Sequence, residues 1–389
     1  MDNLLHKEYK NRVLKLQQSI IKTEADSCII TSSVNIYYLF GQVFDGYLYV
    51  LPEGDPIKFV RRPSDIDSEN VIYIHKPELI AEHLGDLNIP LPKKVMIESD
   101  VLSYSSLMRL SAAVGNPSIE NVSGEMRRIR SVKSEYELYV MRECAKIHAS
   151  VYNKIPEIYR KGMTDIEFQI ELEYLMRKSG SVGIFKTFGP NMDIFMGSIL
   201  AGENAQAASP FDFALGGKGV SPLLPLGANG TKLKSGTTLM VDMAGNYRPL
   251  MDDMTRTFAI EYAPDLAYKA HEVSIMINQA IMETSKTGTS CADIYLLAEK
   301  IVSEHGLEKY FMGTTQQAKF VGHGVGLEIN EPPVLAPRSR DVLLSGMTIA
   351  VEPKFVLPGI GAVGVENTYI VHDDGLEKIT ICDESLIVL

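Results

Sequence analysis

Acidic residues interrupt apolar, strand-forming runs at four places in this 389-residue chain, and that pattern limits the available folds more than any other feature. Thr238 to Ala244 and Asp253 to Ile260 flank the turn-prone Gly245-Asn246 and Pro249, so they read as the arms of an antiparallel hairpin. One arm carries Asp242 and the other Asp253. Met347 to Phe355 and Ala362 to Val371 flank Leu357-Pro358-Gly359-Ile360-Gly361 and form a second hairpin, with Glu352 and Glu366 in its arms. Ahead of it lies Gly322-His323-Gly324-Val325-Gly326-Leu327-Glu328.

A carboxylate inside an apolar strand is costly unless something pairs with it. One such residue can meet an arginine, but converging carboxylates repel one another and are driven to protonate. Two divalent cations remove the difficulty, because their charge balances that of Asp242, Asp253, Glu352 and Glu366. Oxygen donors with one imidazole suit a hard or borderline cation, whereas structural zinc usually recruits thiolates. Neither hairpin holds a cysteine, which points to Mn²⁺, Co²⁺, Fe²⁺ or a catalytic Zn²⁺ pair. Taken singly, each acid also reads as a solvent-facing strand residue; the duplicated hairpin argues against that for the set.

These residues resemble the creatinase/prolidase metallopeptidases: Asp242, then Asp253 in Asp-Met-Thr-Arg-Thr-Phe, Gly-His-Gly-Val-Gly-Leu-Glu, Glu352-Pro353, and Val365-Glu366-Asn367-Thr368. The resemblance spans nearly the whole chain. It implies an α+β, pita-bread catalytic domain with a pseudo-twofold repeat, preceded by a smaller α/β amino-terminal domain. It also implies two metal ions on Asp242, Asp253, His323, Glu352 and Glu366, with His323 and Glu352 as catalytic residues and Glu352 shuttling a proton from water to the leaving nitrogen. Family members are commonly homodimers and include Xaa-Pro dipeptidases, Xaa-Pro aminopeptidases and non-peptidase enzymes. The motif selects Asp253 over its neighbour Asp252, and strand alternation agrees, since adjacent residues face opposite ways.

The rest of the chain fits such an enzyme. A net charge of −11 argues against nucleic acid and anionic membrane as partners. The opening Met1-Asp2-Asn3-Leu4 has no signal character, and no apolar run reaches the roughly 18 residues of a membrane span. Cys28, Cys144, Cys291 and Cys382 are scattered and read as reduced thiols, so a cytoplasmic protein is expected. Alternating helices and strands build a domain over residues 1–123, with His75 and His83 in surface or capping roles. The basic run Glu125 to Lys133 then opens a second domain over 124–389 as a solvated or salt-bridged face. A loose internal repeat places a helix pair (134–159 and one to about 178, then 263–285 and one to about 305) ahead of each acidic hairpin. Thr164 and Glu167 have capping-box spacing.

Departures from the family concern the groups around the metals. Histidines are usual where this chain has Lys319, Asn330 and about Leu226, and an arginine is usual at Gly364. Residues 205–232 form a longer apolar, glycine- and proline-rich loop, which reads either as a lid or as a dimer contact. Lys319, Asn330, Phe211 and Phe213 are the candidate substrate contacts, while His148, His271, His305 and His372 are the histidines left to replace a missing one. The expected activity is hydrolysis of an amide or related C–N bond by metal-activated hydroxide, on a small molecule that need not be a peptide, because the outer histidines and arginine are replaced. The alternatives are a true Xaa-Pro dipeptidase or aminopeptidase acting on short peptides, and a non-catalytic binding protein that keeps the fold.

Overall fold

Contacts divide the chain into two units, Met1–Arg130 and Ser131–Leu389. A computed structural model describes residues 2–189, 194–211 and 213–389, so Asp212 of the long loop lies outside it. In the first unit six strands lie edge to edge in the order Val71–Tyr73, Ile57–Arg62, Asp45–Val50, Ser27–Ile30, Lys94–Ile97 and Ser118–Asn121. A hairpin turning at Pro52–Asp55 lies in its antiparallel centre, and parallel pairs flank it. Ile29, Phe59, Val95 and Leu110 fill the core beneath it. The edge strand Ser118–Asn121 escapes sequence reading because it is mostly exposed and lacks apolar alternation.

The Asn-Ile-Tyr-Tyr-Leu-Phe-Gly segment is a helix, Ser33–Phe40, closed by Gly41 in the left-handed region. A side-chain carbon at Gly41 would come within 2.4 Å of the Tyr9 ring, so only glycine fits there. The buried Glu98 carboxylate holds the start of this helix, accepting from Thr31 N at 2.5 Å, Ser32 N at 2.7 Å and Asn35 Nδ2 at 2.5 Å. His75 is exposed, and His83 lies 3.6 Å from Asp86.

The domain boundary falls one helix later than the expected break after residue 123. The helix Ser123–Ser131 buries Met126 and Ile129, Glu125 accepts from Ser19, and Arg130 donates to Asn35. The basic run is therefore not wholly solvated. Arg128 pairs with Glu125 in the open, but Lys133 donates to Glu331 at 3.0 Å with both side chains 1% exposed.

In the second unit the repeated plan is visible. Helices Glu135–Tyr152 and Asp165–Lys178 precede the strands Gly197–Ala201, Thr238–Gly245 and Asp252–Ala259, which form one antiparallel set. Helices Asp265–Thr284 and Cys291–Glu304 precede Gly322–Gly324, Thr348–Val351 and Asn367–Val371, which form another. Ser134 with Glu137 and Thr164 with Glu167 make complete capping boxes, each satisfying orphan amides at a helix start. The first helix stops at Tyr152, short of the expected 159, and a separate turn follows over Ile155–Ile158.

The second hairpin is more broken than its sequence pattern implies. Each arm divides: Thr348–Val351 and Asn367–Val371 pair in the five-stranded sheet, while Lys354–Leu357 and Gly361–Gly364 form a separate ribbon. The breaks fall at Glu352-Pro353 and Val365-Glu366. Pro353 has no amide to give a ladder, so the chain bends where two of the acids stand.

Candidate metal centre

Register brings the first two acids together. Asp242 pairs opposite Thr255 and Ala244 opposite Asp253, so Asp253 and Thr255 share one face of their strand. The neighbouring Asp252 faces the other way and meets His148, Oδ2 to Nδ1 at 2.7 Å, with both side chains fully buried. Thr255 Oγ1 then donates to Glu366 Oε2 at 2.7 Å, and Glu366 N donates to Thr255 O at 3.2 Å. Arg256 locks the same junction, giving Nη1 to the carbonyls of Thr255 and Glu366 at 2.8 Å each. Glu352 is fixed by its amide on Val321 O at 2.9 Å, beside His323, which pairs opposite Ala350.

Two triads of donor atoms result, each set within 4.8 Å: Asp253, His323 and Glu366, and Asp242, Glu352 and Glu366. The expected donors thus converge, with Glu366 common to both triads. Asp253, Glu352 and Glu366 are at most 7% exposed. Burial and then the Glu366, Asp242 and Glu352 charges push Asp253 well above the usual carboxylate range. Burial and Glu352 likewise raise Glu366 to about 8. Carboxylates this reluctant to ionise together call for cationic charge.

The first triad fits a divalent cation. His323 Nδ1 lies 3.0 Å from Gly324 O and donates to it, which leaves Nε2 as a donor toward the acids. Glu366 Oε1 is buried and has no hydrogen-bond partner among the described residues. An orphaned carboxylate oxygen beside an imidazole nitrogen and a second carboxylate is the donor chemistry of a catalytic Mn²⁺, Co²⁺, Fe²⁺ or Zn²⁺ site.

The second triad already holds a cation. Lys354 Nζ donates to Asp242 Oδ2 at 2.8 Å, Glu352 Oε2 at 2.6 Å and Glu366 Oε2 at 3.1 Å, and its side chain is 1% exposed. A metal bound about 2.0–2.2 Å from those oxygens would lie almost on the ammonium. Even about 4 Å away, a divalent ion meets roughly 8 kcal/mol of repulsion from it at an effective dielectric near 20. Sequence reading missed Lys354, because the strand breaks at Glu352-Pro353 and the pairing of Lys354 with Gly364 is not visible in the local run. Burial favours raising Glu352, but Lys354 and His323 outweigh it and hold its carboxyl at about 2.

The expected substrate contacts divide into two places. Phe211, Phe213 and Lys319 line one cavity of about 200 Å³, walled by residues 205–209, 211, 213–216 and 313–319, with the phenyl centroids 5.9 Å apart. Asn330 instead clasps the backbone of Phe188, accepting from its amide at 2.7 Å and donating to its carbonyl at 2.8 Å. None of the four spare histidines lies among the converged donors. His148 holds Asp252, His271 reaches Glu384 O at 2.7 Å, His305 reaches Ile301 O at 2.8 Å, and His372 pairs with Glu377 at 2.9 Å.

Comparison with known proteins identifies the family. Residues 140–373 match the model of metallopeptidase family M24, and residues 12–132 match the creatinase/prolidase N-terminal domain. An uncharacterized peptidase, YqhT, of Bacillus subtilis is 25% identical over 382 residues, covering 96% of this chain and 99% of the relative. An Xaa-Pro dipeptidase of Pyrococcus horikoshii is 24% identical over 380 residues, covering 97% and 98%. Among solved structures, an Xaa-Pro dipeptidase from Bacillus anthracis superposes with a TM-score of 0.80 at 23% identity, covering 98% of this chain and all of that one. A prolidase from Pyrococcus horikoshii gives 0.78 at 22% identity, covering 97% of this chain and 100% of that one. The chain, with its two-domain pita-bread architecture, therefore belongs to metallopeptidase family M24, a family of dinuclear metal-dependent hydrolases.

Proposed function

We propose that this chain hydrolyses the amide bond of short peptides, Xaa-Pro peptides among them, at the cluster of Asp242, Asp253, His323, Glu352 and Glu366. The observation that carries the reading is the convergence of these donors on one buried patch, with Glu366 shared between the triads. Asp253, His323 and Glu366 hold a divalent cation, Mn²⁺ or Co²⁺ being the first choices. Bound there, such an ion supplies Lewis acidity toward a carbonyl oxygen. Glu352 is the proton carrier: Oε2 is tied to Lys354, while Oε1, 3.4 Å from His323 Nε2, is the atom able to accept a proton and return it to the leaving nitrogen. Lys354 keeps that carboxyl ionised. Phe211, Phe213 and Lys319 supply an apolar wall and a cation for a small substrate.

A second reading, hydrolysis of a non-peptide amide, rests on one pair of observations: Asn330 is engaged with Phe188, and Gly364 has no side chain to offer. The comparisons lend it no support. A cytoplasmic setting accords with the free thiols Cys28, Cys144, Cys291 and Cys382 and with the absence, among the described residues, of a helix long and apolar enough to cross a membrane. A homodimer completes the reading. Val220 and Leu223, exposed on the long loop, offer apolar surface for it.

Incubating protein loaded with Mn²⁺, Co²⁺ or Zn²⁺ with Gly-Pro, Ala-Pro, Xaa-Pro tripeptides and Gly-Leu, followed by mass spectrometry, tests the proposal. Release of free amino acids from at least one peptide is expected. Intact peptides throughout, alongside turnover in a small-amide library, would hand the site to the second reading.

A further inference from the structure

We infer that Lys354 permanently occupies one half of the metal cluster, so that the resident centre is a single divalent ion beside a built-in ammonium rather than an ion pair. This rests on the preceding reading that the cluster is a metal site, and it departs from the dinuclear pattern of the family. Three observations carry it. Nζ touches one oxygen from each member of the second triad, at 2.6–3.1 Å, so no donor of that half is left without a cation. The orphaned oxygen, Glu366 Oε1, belongs to the residue shared with the first triad, which is where one ion is still called for. The lysine also has nowhere else to go. It is 1% exposed on a fully buried strand, held by Met312 N on its carbonyl at 2.8 Å and followed by the buried Phe355 and Val356.

Its stem fits because of the residue opposite. Lys354 pairs with Gly364, and a side-chain carbon there would approach Lys354 Cγ to 3.1 Å and Pro353 O to 2.8 Å. Asp242 is thereby reassigned: it anchors Lys354 instead of binding a metal. Withdrawing the ammonium to admit a second ion would take a full charge away from three carboxylates while leaving it on a fully buried strand.

Metal counting decides it. The whole chain is stripped with a chelator, saturated with Mn²⁺, desalted and analysed by inductively coupled plasma mass spectrometry, alongside Lys354→Ala and Lys354→Gln. The expected result is one ion per chain in the parent, rising toward two in a variant. Two ions in the parent would overturn the inference while leaving the metal reading intact; none in the parent would overturn both. One ion in the parent and in both variants would show that Lys354 is not what excludes the second. Should both variants fail to fold, anomalous diffraction from Mn²⁺-loaded parent crystals decides alone. A single peak among Asp253, His323 and Glu366 is expected, and a peak between Asp242 and Glu352 refutes it.

Discussion

Lys354 and Gly364 face each other across the two-stranded ribbon, and the space that Gly364 leaves open is the space through which the lysine stem reaches the acids. A side-chain carbon at Gly364 would sit 3.0 Å from Lys354 Cα and 2.8 Å from Pro353 O, closer than packed atoms accept. Gly364→Ala should therefore destabilise the fold by about 1–3 kcal/mol, the usual cost of overpacking a filled core. Urea unfolding of parent and variant measures it. An unchanged midpoint and slope would mean that the ribbon opens freely and does not confine Lys354.

The adjacent acids Asp252 and Asp253 should separate into two roles. Asp252→Ala leaves the fully buried His148 without its 2.7 Å partner, a loss on the order of 3 kcal/mol, yet should leave bound metal unchanged. Asp253→Ala removes a donor of the first triad and relieves carboxylate repulsion, so metal content should fall with little loss of stability. The reverse pattern, metal lost with Asp252 and kept with Asp253, would reject the strand-face assignment.

Much of this site is legible from sequence because strand alternation and hairpin symmetry are local rules. They agree with the motif in setting Asp253 apart from Asp252, while the gathering of Asp242, His323, Glu352 and Glu366 is what the resemblance to the family implies. What escapes is cross-strand. That Lys354 enters the cluster depends on its pairing with Gly364 and on the bend at Pro353, neither of which a single run of residues reveals. The clasp of Asn330 on Phe188 is hidden for the same reason, since its partner lies far away in the chain. In the first unit, the exposed strand Ser118–Asn121 carries no apolar pattern and is set by its parallel neighbour Lys94–Ile97.

His271 gives the fold a pH dependence of definite sign. Burial and the nearby Arg256 lower its pKa from the ordinary 6.5, outweighing the Glu384 carbonyl on Nε2 and the Glu384 charge. Nδ1 has no hydrogen-bond partner among the described residues, so a second proton there finds no acceptor. The folded state thus binds fewer protons than the unfolded one. The contribution is complete above the unfolded value of about 6.5 and is lost as pH falls from there toward the lower folded value, at up to about 1.4 kcal/mol per pH unit. Denaturation midpoints from pH 7.5 to 5 should decline more steeply for the parent than for His271→Gln. Parallel declines would remove His271 as a cause.

Glu352→Gln separates metal binding from proton transfer. With one ion held by Asp253, His323 and Glu366, the amide leaves those three donors untouched, and Lys354 keeps Asp242 and Glu366 as partners. Bound metal should therefore stay at one ion per chain. Hydrolysis of the best peptide should fall by roughly 10²–10⁴-fold, the range typical for losing a positioned general acid–base group. The loss should appear in kcat more than in KM, because the proton moves only during reaction. If metal content falls in step with activity, Glu352 is a ligand of the resident ion, and the division of the cluster between that ion and Lys354 has to be redrawn. If both persist, the proton passes through another group, and His323, 3.4 Å away, becomes the next residue to vary.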